Sequence, residues 1–499
     1  MVISFIGVVL SLIFLVVMAY RGHSVVVVAP FAALIAVVFS GEPILATYTQ
    51  IFMPAAGNFV TKYFPLFLFG AIFGFLMTST GLARYLARGI TALFGPKRAM
   101  FSTVVATALL TYGGVSAWVV AFTIVPIATA LFKESGIPKR LMPGAIALGT
   151  ITFALAGLPG SPQIHNAIPT SYFGTNVYAA PLFGLISSAI MLAVGTAWLE
   201  YRVRTLRAGG ETFEPLDADG KVIETPEGIG DSGEEASVEI GGESFDTNSG
   251  GRVSTHARTE TEPSVHVQGL LGLVPIAVVI AVNFAMVYGV SKVLDTSYLG
   301  EEKYGETDLD SLLGIWSPTV ALACAVFVIV AMFPKRAAES VKEFSDGAKN
   351  AILPCLTTAS EVGYGAVIAA LAVFSVVKSN MMGISDNALV VSTVSTAVIS
   401  GITGSSSGGL SITMQTLGDQ LAQLATEQGI SLELMHRVTA MASVSFDSMP
   451  HNGAVLTMLI VCGMTHRLSY KDVAVVTIVI PLATLALMLG INALIPGLS

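Results

Sequence analysis

The sequence predicts an all-α polytopic membrane protein made of two inverted-topology repeats, each with five membrane-crossing helices and one re-entrant hairpin. Three observations predict it: apolar runs of bilayer length, a Gly/Ser break that splits one apolar run in each half into two short arms, and a proline-containing break in the crossing that follows each hairpin. Of the 499 residues 53% are hydrophobic and 12% charged, about half the charge usual for a soluble chain. The runs Val2 to Tyr20, Ser24 to Ser40, Tyr178 to Leu199, Gly269 to Gly289 and Ile315 to Phe333 each approach the roughly 20 residues that span a bilayer core. None has the polar face a soluble core helix requires.

The formal charge of -8 is unevenly placed, because residues 208 to 267 hold 14 acidic and 3 basic residues. The rest of the chain is net basic, as cytoplasmic loops of membrane proteins are. That acidic stretch is rich in Gly, Ser, Thr and Glu, a composition that buries too little to fold alone. It divides the chain into a first repeat, 1–204, a flexible cytoplasmic linker, 205–267, and a second repeat, 268–499. With no basic stripe outside the loops, no nucleic-acid partner is expected. Cys324, Cys355 and Cys462 lie in or beside apolar segments without metal-ligand spacing, so neither a metal nor a disulfide framework is expected. The first apolar run has no basic n-region or small-residue cleavage site and reads as a retained helix.

Lys and Arg set the orientation. Arg21, the group Arg84 to Arg98, Lys133 to Arg140, Arg202 to Arg207, Lys335 to Lys342, and Arg467 with Lys471 should be cytoplasmic, with the acidic loop 295 to 310 outside. Both basic loops flanking 100–132 then lie on one side, so this segment must enter and return. Its arms, broken at Tyr112, Gly113, Gly114, Val115 and Ser116, reach roughly 18 and 24 Å against a core of roughly 30 Å. Non-helical backbone at that depth must be buried in protein or line a watery cavity. Segment 388–425, broken at Gly404, Ser405, Ser406, Ser407, Gly408 and Gly409, is the second hairpin. The crossings are 2–20, 24–40, 63–80, 141–168 and 178–201, against 268–290, 314–333, 351–378, 434–465 and 472–495. Five being odd, the two halves run in opposite senses.

Crossings 141–168 and 434–465 are themselves interrupted, at Leu158-Pro159-Gly160-Ser161-Pro162-Gln163-Ile164-His165-Asn166 and at Asp447-Ser448-Met449-Pro450-His451-Asn452-Gly453. Proline removes a backbone donor and clashes with the preceding turn, so each run should unwind its helix. Two tips and two breaks then meet near the midplane, where half-helix ends attract ions. None of the four contains Lys or Arg. An anion would therefore be held by backbone N–H groups and neutral side chains, which favours one carboxylate over several. The candidate substrate contacts are Tyr112, Gly113, Gly114, Val115 and Ser116; Gly160, Ser161, Gln163 and Asn166; Ser405, Ser406, Ser407, Gly408 and Gly409; and Ser448, His451 and Asn452. The alternative is that these polar groups only satisfy backbone exposed around helix breaks. Glu361, Asp447, His165 and His451 are ionisable residues deep in apolar segments and functional candidates by default. Asp447, Glu361 and His451 are the candidates for a coupling proton.

Two other classes leave traces. Gly404-Ser405-Ser406-Ser407-Gly408 fits the nucleophile-elbow pattern, which with His451 and Asp447 would make an intramembrane serine hydrolase, but the strand-to-helix context is missing. An anion channel is the other alternative; two equivalent broken sites fit alternating access better than a continuous pore. There is no Walker A sequence. No enzymatic activity and no cofactor are expected.

At Thr111-Tyr112-Gly113-Gly114-Val115-Ser116, Ile137-Pro138-Lys139-Arg140-Leu141, Leu158 to Ile164, Ala359-Ser360-Glu361-Val362-Gly363-Tyr364-Gly365, Ser406 to Ser411 and Met449 to Val455, the chain resembles the gluconate permease family of proton symporters. It looks most like the branch that includes hydroxybutyrate permeases. The resemblance implies a homodimer in the cytoplasmic (inner) membrane, a scaffold against which hairpins and broken helices move as an elevator, coupling to a proton (sodium being the rival), and substrates such as gluconate or 3-hydroxybutyrate. His165 stands where many relatives are expected to have Gln.

Overall fold

A computed structural model describes residues 2–21, 23–217, 220–225, 238–240, 243–245, 264–450 and 452–494. The helices of the first half are α1 (Val2–Tyr20), α2 (Val25–Ser40), α3 (Ile44–Ser79), α4 (Leu82–Phe94), α5 (Ala99–Tyr112), α6 (Ala117–Ser135), α7 (Met142–Thr150) and α8 (Pro181–Ala208). Those of the second are α9 (Val265–Val293), α10 (Leu309–Met332), α11 (Ala337–Ala370), α12 (Phe374–Met382), α13 (Ala388–Thr403), α14 (Ser406–Glu427), α15 (Leu432–Ser443), α16 (Gly453–Val461) and α17 (His466–Leu494). The membrane body is all-α. Among the described residues the only paired strands, Val238–Ile240 with Glu243–Phe245, form a short hairpin in the linker.

Among the described residues, seven helical spans are long and apolar enough to cross a bilayer: Ile44–Ser79, Lys139–Gly157, Pro181–Ala208, Val265–Val293, Leu309–Met332, Lys342–Ala370 and His466–Leu494. Val2–Met18, Val25–Ser40, Ala99–Tyr112 and Ala388–Thr403 are shorter apolar helices. The expected crossing 434–465 is not one helix, because α15 stops at Ser443 and α16 starts at Gly453. Likewise 351–378 is divided at Leu371, where α11 ends in extended backbone. The expected crossing 63–80 is the end of the much longer α3, which continues through Pro65. Helix α4 was not foreseen; it is short and amphipathic, buries Leu82, Leu86 and Ile90, and packs on α9.

Several packing pairs of the first half have counterparts in the second. Helix α1 pairs with α2 as α9 does with α10, α3 lies on α10 as α11 lies on α2, and α5 packs on α7 as α13 does on α15. Helices α3 and α11 pack along each other and join the halves. The α7 segment is almost wholly buried, so it lies within protein and away from lipid. The start of the linker docks on the body: Glu211 takes Arg140 at 2.6 Å, and the Lys139 amide donates to the Phe213 carbonyl. Burial raises the Glu211 carboxyl above the usual carboxylate range against the pull of Arg140.

Candidate functional site

Both proline runs interrupt their helices. In the first half α7 ends at Thr150, a π turn runs over Phe153–Gly157, and helix resumes at Ile164; in the second the helix stops at Ser443 and resumes at Gly453. Both hairpins turn at the expected tips, through Gly114 and Gly404 in the left-handed region that favours glycine.

The first tip is tied to the first break. Tyr112 Oη donates to the Pro159 carbonyl at 2.8 Å, and Gln163 Nε2 donates to the Thr111 carbonyl at 2.7 Å and the Val115 carbonyl at 3.4 Å. Asn283 of α9 holds the Gly160 carbonyl at 2.8 Å. Gly113, Gly114 and Val115 are buried, while Ser116, which precedes α6, is exposed and makes no side-chain cap. The second tip is tied to the second break in the same manner, by Asn452 Nδ2 donating to the Gly404 carbonyl at 2.9 Å. Asn452 Oδ1 also caps α16 by accepting from the Val455 amide.

The two halves meet at the N-terminus of α14, where three consecutive serines take different partners. Ser405 caps the helix by accepting from the Gly408 amide and donates to Glu361 Oε2 at 3.0 Å. Ser406 Oγ lies 2.8 Å from His165 Nε2, across 241 residues of chain, and faces the Asp447 carboxylate. Ser407 Oγ lies 3.3 Å from Thr358 Oγ1. Ser448 donates to Asp447 Oδ1 at 3.0 Å. Thus Glu361, Asp447 and His165, all buried, converge from α11, the second break and the first. His451 lies outside the described residues. A small apolar gap among α6, α7 and α16 is lined by Ala117, Ala121, Thr150, Ile151, Ala454 and Met458.

The two tips and two breaks contain no Lys or Arg, but one arginine reaches them from outside. Arg437, on α15, is completely buried and reaches the first break. Its Nε donates to Ala179 O, its Nη1 to Ala156 O and Asn166 Oδ1, and its Nη2 to Val177 O and Ala179 O. All five N–H groups of the guanidinium are thereby used, yet no carboxylate pairs with it among the described residues. Its side chain is therefore committed to the first break. The sequence signal was available, a lone Arg in the apolar segment 434–465, but it sits close to the start of α15, where an arginine reads as an interfacial residue. Its neighbour His436, buried and bonded to Thr175 Oγ1 at 2.7 Å, was passed over for the same reason.

The polar residues divide by what they do. Ser161 donates to the Ala154 carbonyl, and Asn166 donates to Leu158 and Ser161 while accepting from Arg437. Both are fully buried and committed to backbone and Arg437. Ser405, Ser406 and Ser407 are half-buried and bonded to groups that can move or titrate. The Ser406 and Ser407 amides open α14 and have no protein acceptor among the described residues. Ser406 is not placed as a hydrolase nucleophile. A triad needs a carboxylate on the far imidazole nitrogen, and His165 Nδ1 has no partner.

No family model matches the chain. Over 467 residues, 92% of this chain and 93% of the relative, it is 38% identical to a protein of Bacillus subtilis (strain 168) named as an uncharacterized transporter, YxjC. At that identity over nearly the full length of both, the chain belongs to the same family of membrane transporters.

Proposed function

We propose that this chain is a secondary active transporter that carries a small organic monocarboxylate, such as gluconate, 3-hydroxybutyrate or a similar hydroxy acid, in symport with a proton. One observation carries the reading: an interrupted helix from one half and a hairpin tip from the other are joined at His165–Ser406. Two halves of opposite sense that share one such site are the architecture of alternating access. The substrate carboxylate would lie at the N-terminus of α14, where helix N–H groups and dipole favour an anion. The single buried guanidinium of Arg437 balances one carboxylate better than two or three. The coupling proton would be taken by Asp447, Glu361 or His451, the first two already beside the α14 serines. The packed pair α3 and α11 supplies a scaffold against which the hairpins could move as an elevator, in a homodimer of the cytoplasmic (inner) membrane.

Proteoliposomes test this directly. Labelled 3-hydroxybutyrate or gluconate should accumulate against its gradient when the lumen is made alkaline, and should not when the protonophore-treated membrane holds no pH difference. Accumulation that needs external sodium instead would establish the rival coupling. Passive flux far above carrier turnover and indifferent to the pH gradient would establish a channel. Ester hydrolysis lost in Ser406→Ala would establish the enzyme.

A further inference from the structure

The Glu361 carboxylate occupies an anion position. Ser405 donates to its Oε2 at 3.0 Å, and a Cβ added to Gly408 would collide with the same oxygen. The carboxylate therefore lies against the first turn of α14, a 22-residue helix, beside the amides that have no protein acceptor. A second group faces the same turn: His165, which is 5% exposed, contacts Ser406 through Nε2 and leaves Nδ1 without a partner.

We infer that Glu361 is a tethered stand-in for the substrate's carboxylate, so that the ionised side chain and an anionic substrate exclude one another from the α14 N-terminus. This rests on the symport reading above and supplies its coupling rule. Two carboxylates at one helix end repel, and one of them must be neutral for both to stay. A proton delivered to Glu361 removes its charge and frees the position; the substrate anion then takes it, and one proton travels with one anion. On leaving, the anion restores the helix end to Glu361, which ionises again.

The groups around Glu361 allow it to dominate this exchange. Helix α2 carries no ionisable side chain, and the facing α3 carries Tyr48, which is half-buried, Lys62, which is exposed, and Tyr63, which is buried. On α11 the next turn offers Tyr364, bonded to Ser11 Oγ at 2.9 Å. On α14 itself, Asp419 and Glu427 are more than three turns from Ser405. Asp447 and His165 reach Ser406 and not Ser405, and His451 lies outside the described residues.

The test is equilibrium binding of 3-hydroxybutyrate to the detergent-solubilised full chain as a function of pH. Wild-type affinity should fall about tenfold per pH unit on the alkaline side of the transition, because one proton must be added for each anion bound. In Glu361→Gln, which keeps shape and removes charge, affinity should no longer vary with pH; exchange of labelled for unlabelled anion should persist in proteoliposomes while accumulation driven by a pH gradient is lost. Glu361→Asp draws the acid back from Ser405 and should bind more tightly than wild type at alkaline pH, so the inference stays testable should the Gln variant not fold. A pH profile in either variant that matches wild type overturns it. Wild-type protein that binds no monocarboxylate at any pH overturns the symport reading itself, a different result.

Discussion

Replacing Arg437 by methionine is expected to cost at least about 3 kcal/mol of stability and to abolish transport. Methionine approximates the volume of the arginine stem but donates nothing, so the carbonyls of Ala156 and Ala179 and the Asn166 Oδ1 lose their donor in a place water does not readily reach, while the Val177 carbonyl keeps the Gly160 amide. Each unsatisfied buried acceptor costs about 1–3 kcal/mol, a large share of a total stability of about 5–15 kcal/mol. Loss of the charge also removes the positive field over the first break. Lysine keeps the charge but offers three donors from a single point, where the guanidinium offers five in a planar fork, so Arg437→Lys should fall between wild type and methionine. Thermal unfolding in detergent, followed by size-exclusion chromatography, measures the order. A methionine variant as stable as wild type would mean that the five bonds are not what holds the first break open.

Alanine at Gly409 should be nearly as damaging, and for a steric reason. A Cβ there would lie 2.6 Å from the Ser400 amide nitrogen and closer still to the Ser400 Cα. These are backbone atoms of α13, the other arm of the same hairpin, and cannot rotate away. The arms must separate, which costs about 1–3 kcal/mol or more and displaces Ser405, Ser406 and Ser407 together. Transport should fall at least about tenfold, as expected when several groups of one site move by about 1 Å. Gly408→Ala is the informative contrast, because its Cβ meets the end of the Glu361 side chain, which can swing aside. That variant should unfold close to the wild-type temperature yet have an altered pH profile of binding. Equal loss of stability in both would show that the tip is not packed as described.

What the sequence made legible was whatever announces itself locally. Pro159 and Pro450 each remove a backbone donor within a run of small and polar residues, and Gly114 and Gly404 turn a chain, so the breaks and tips could be read from short runs. The boundaries of α3 and α11 could not, since Pro65 and Pro354 lie inside continuous helices whose neighbours hold them. The partners of the site residues were hidden for a different reason: Arg437 finds Asn166 across 271 residues and His165 finds Ser406 across 241, and neither pairing leaves a mark in local periodicity. The division of labour among the polar residues was equally invisible. Ser161 and Ser406 are the same residue type beside similar breaks, yet one is committed to the Ala154 carbonyl and the other faces a histidine and an aspartate.

The central physical claim is that a break of the first half and a hairpin tip of the second form one site that must open for the cycle to proceed. Cysteines placed at His165 and Ser406, in a chain whose Cys324, Cys355 and Cys462 are replaced, measure this with a short bis-methanethiosulfonate bridge. The account predicts that the reagent links the two positions within a single chain, that bound 3-hydroxybutyrate slows the reaction, and that reduction reverses the link. Two cysteines that react separately and never become bridged, with or without the anion, would contradict it.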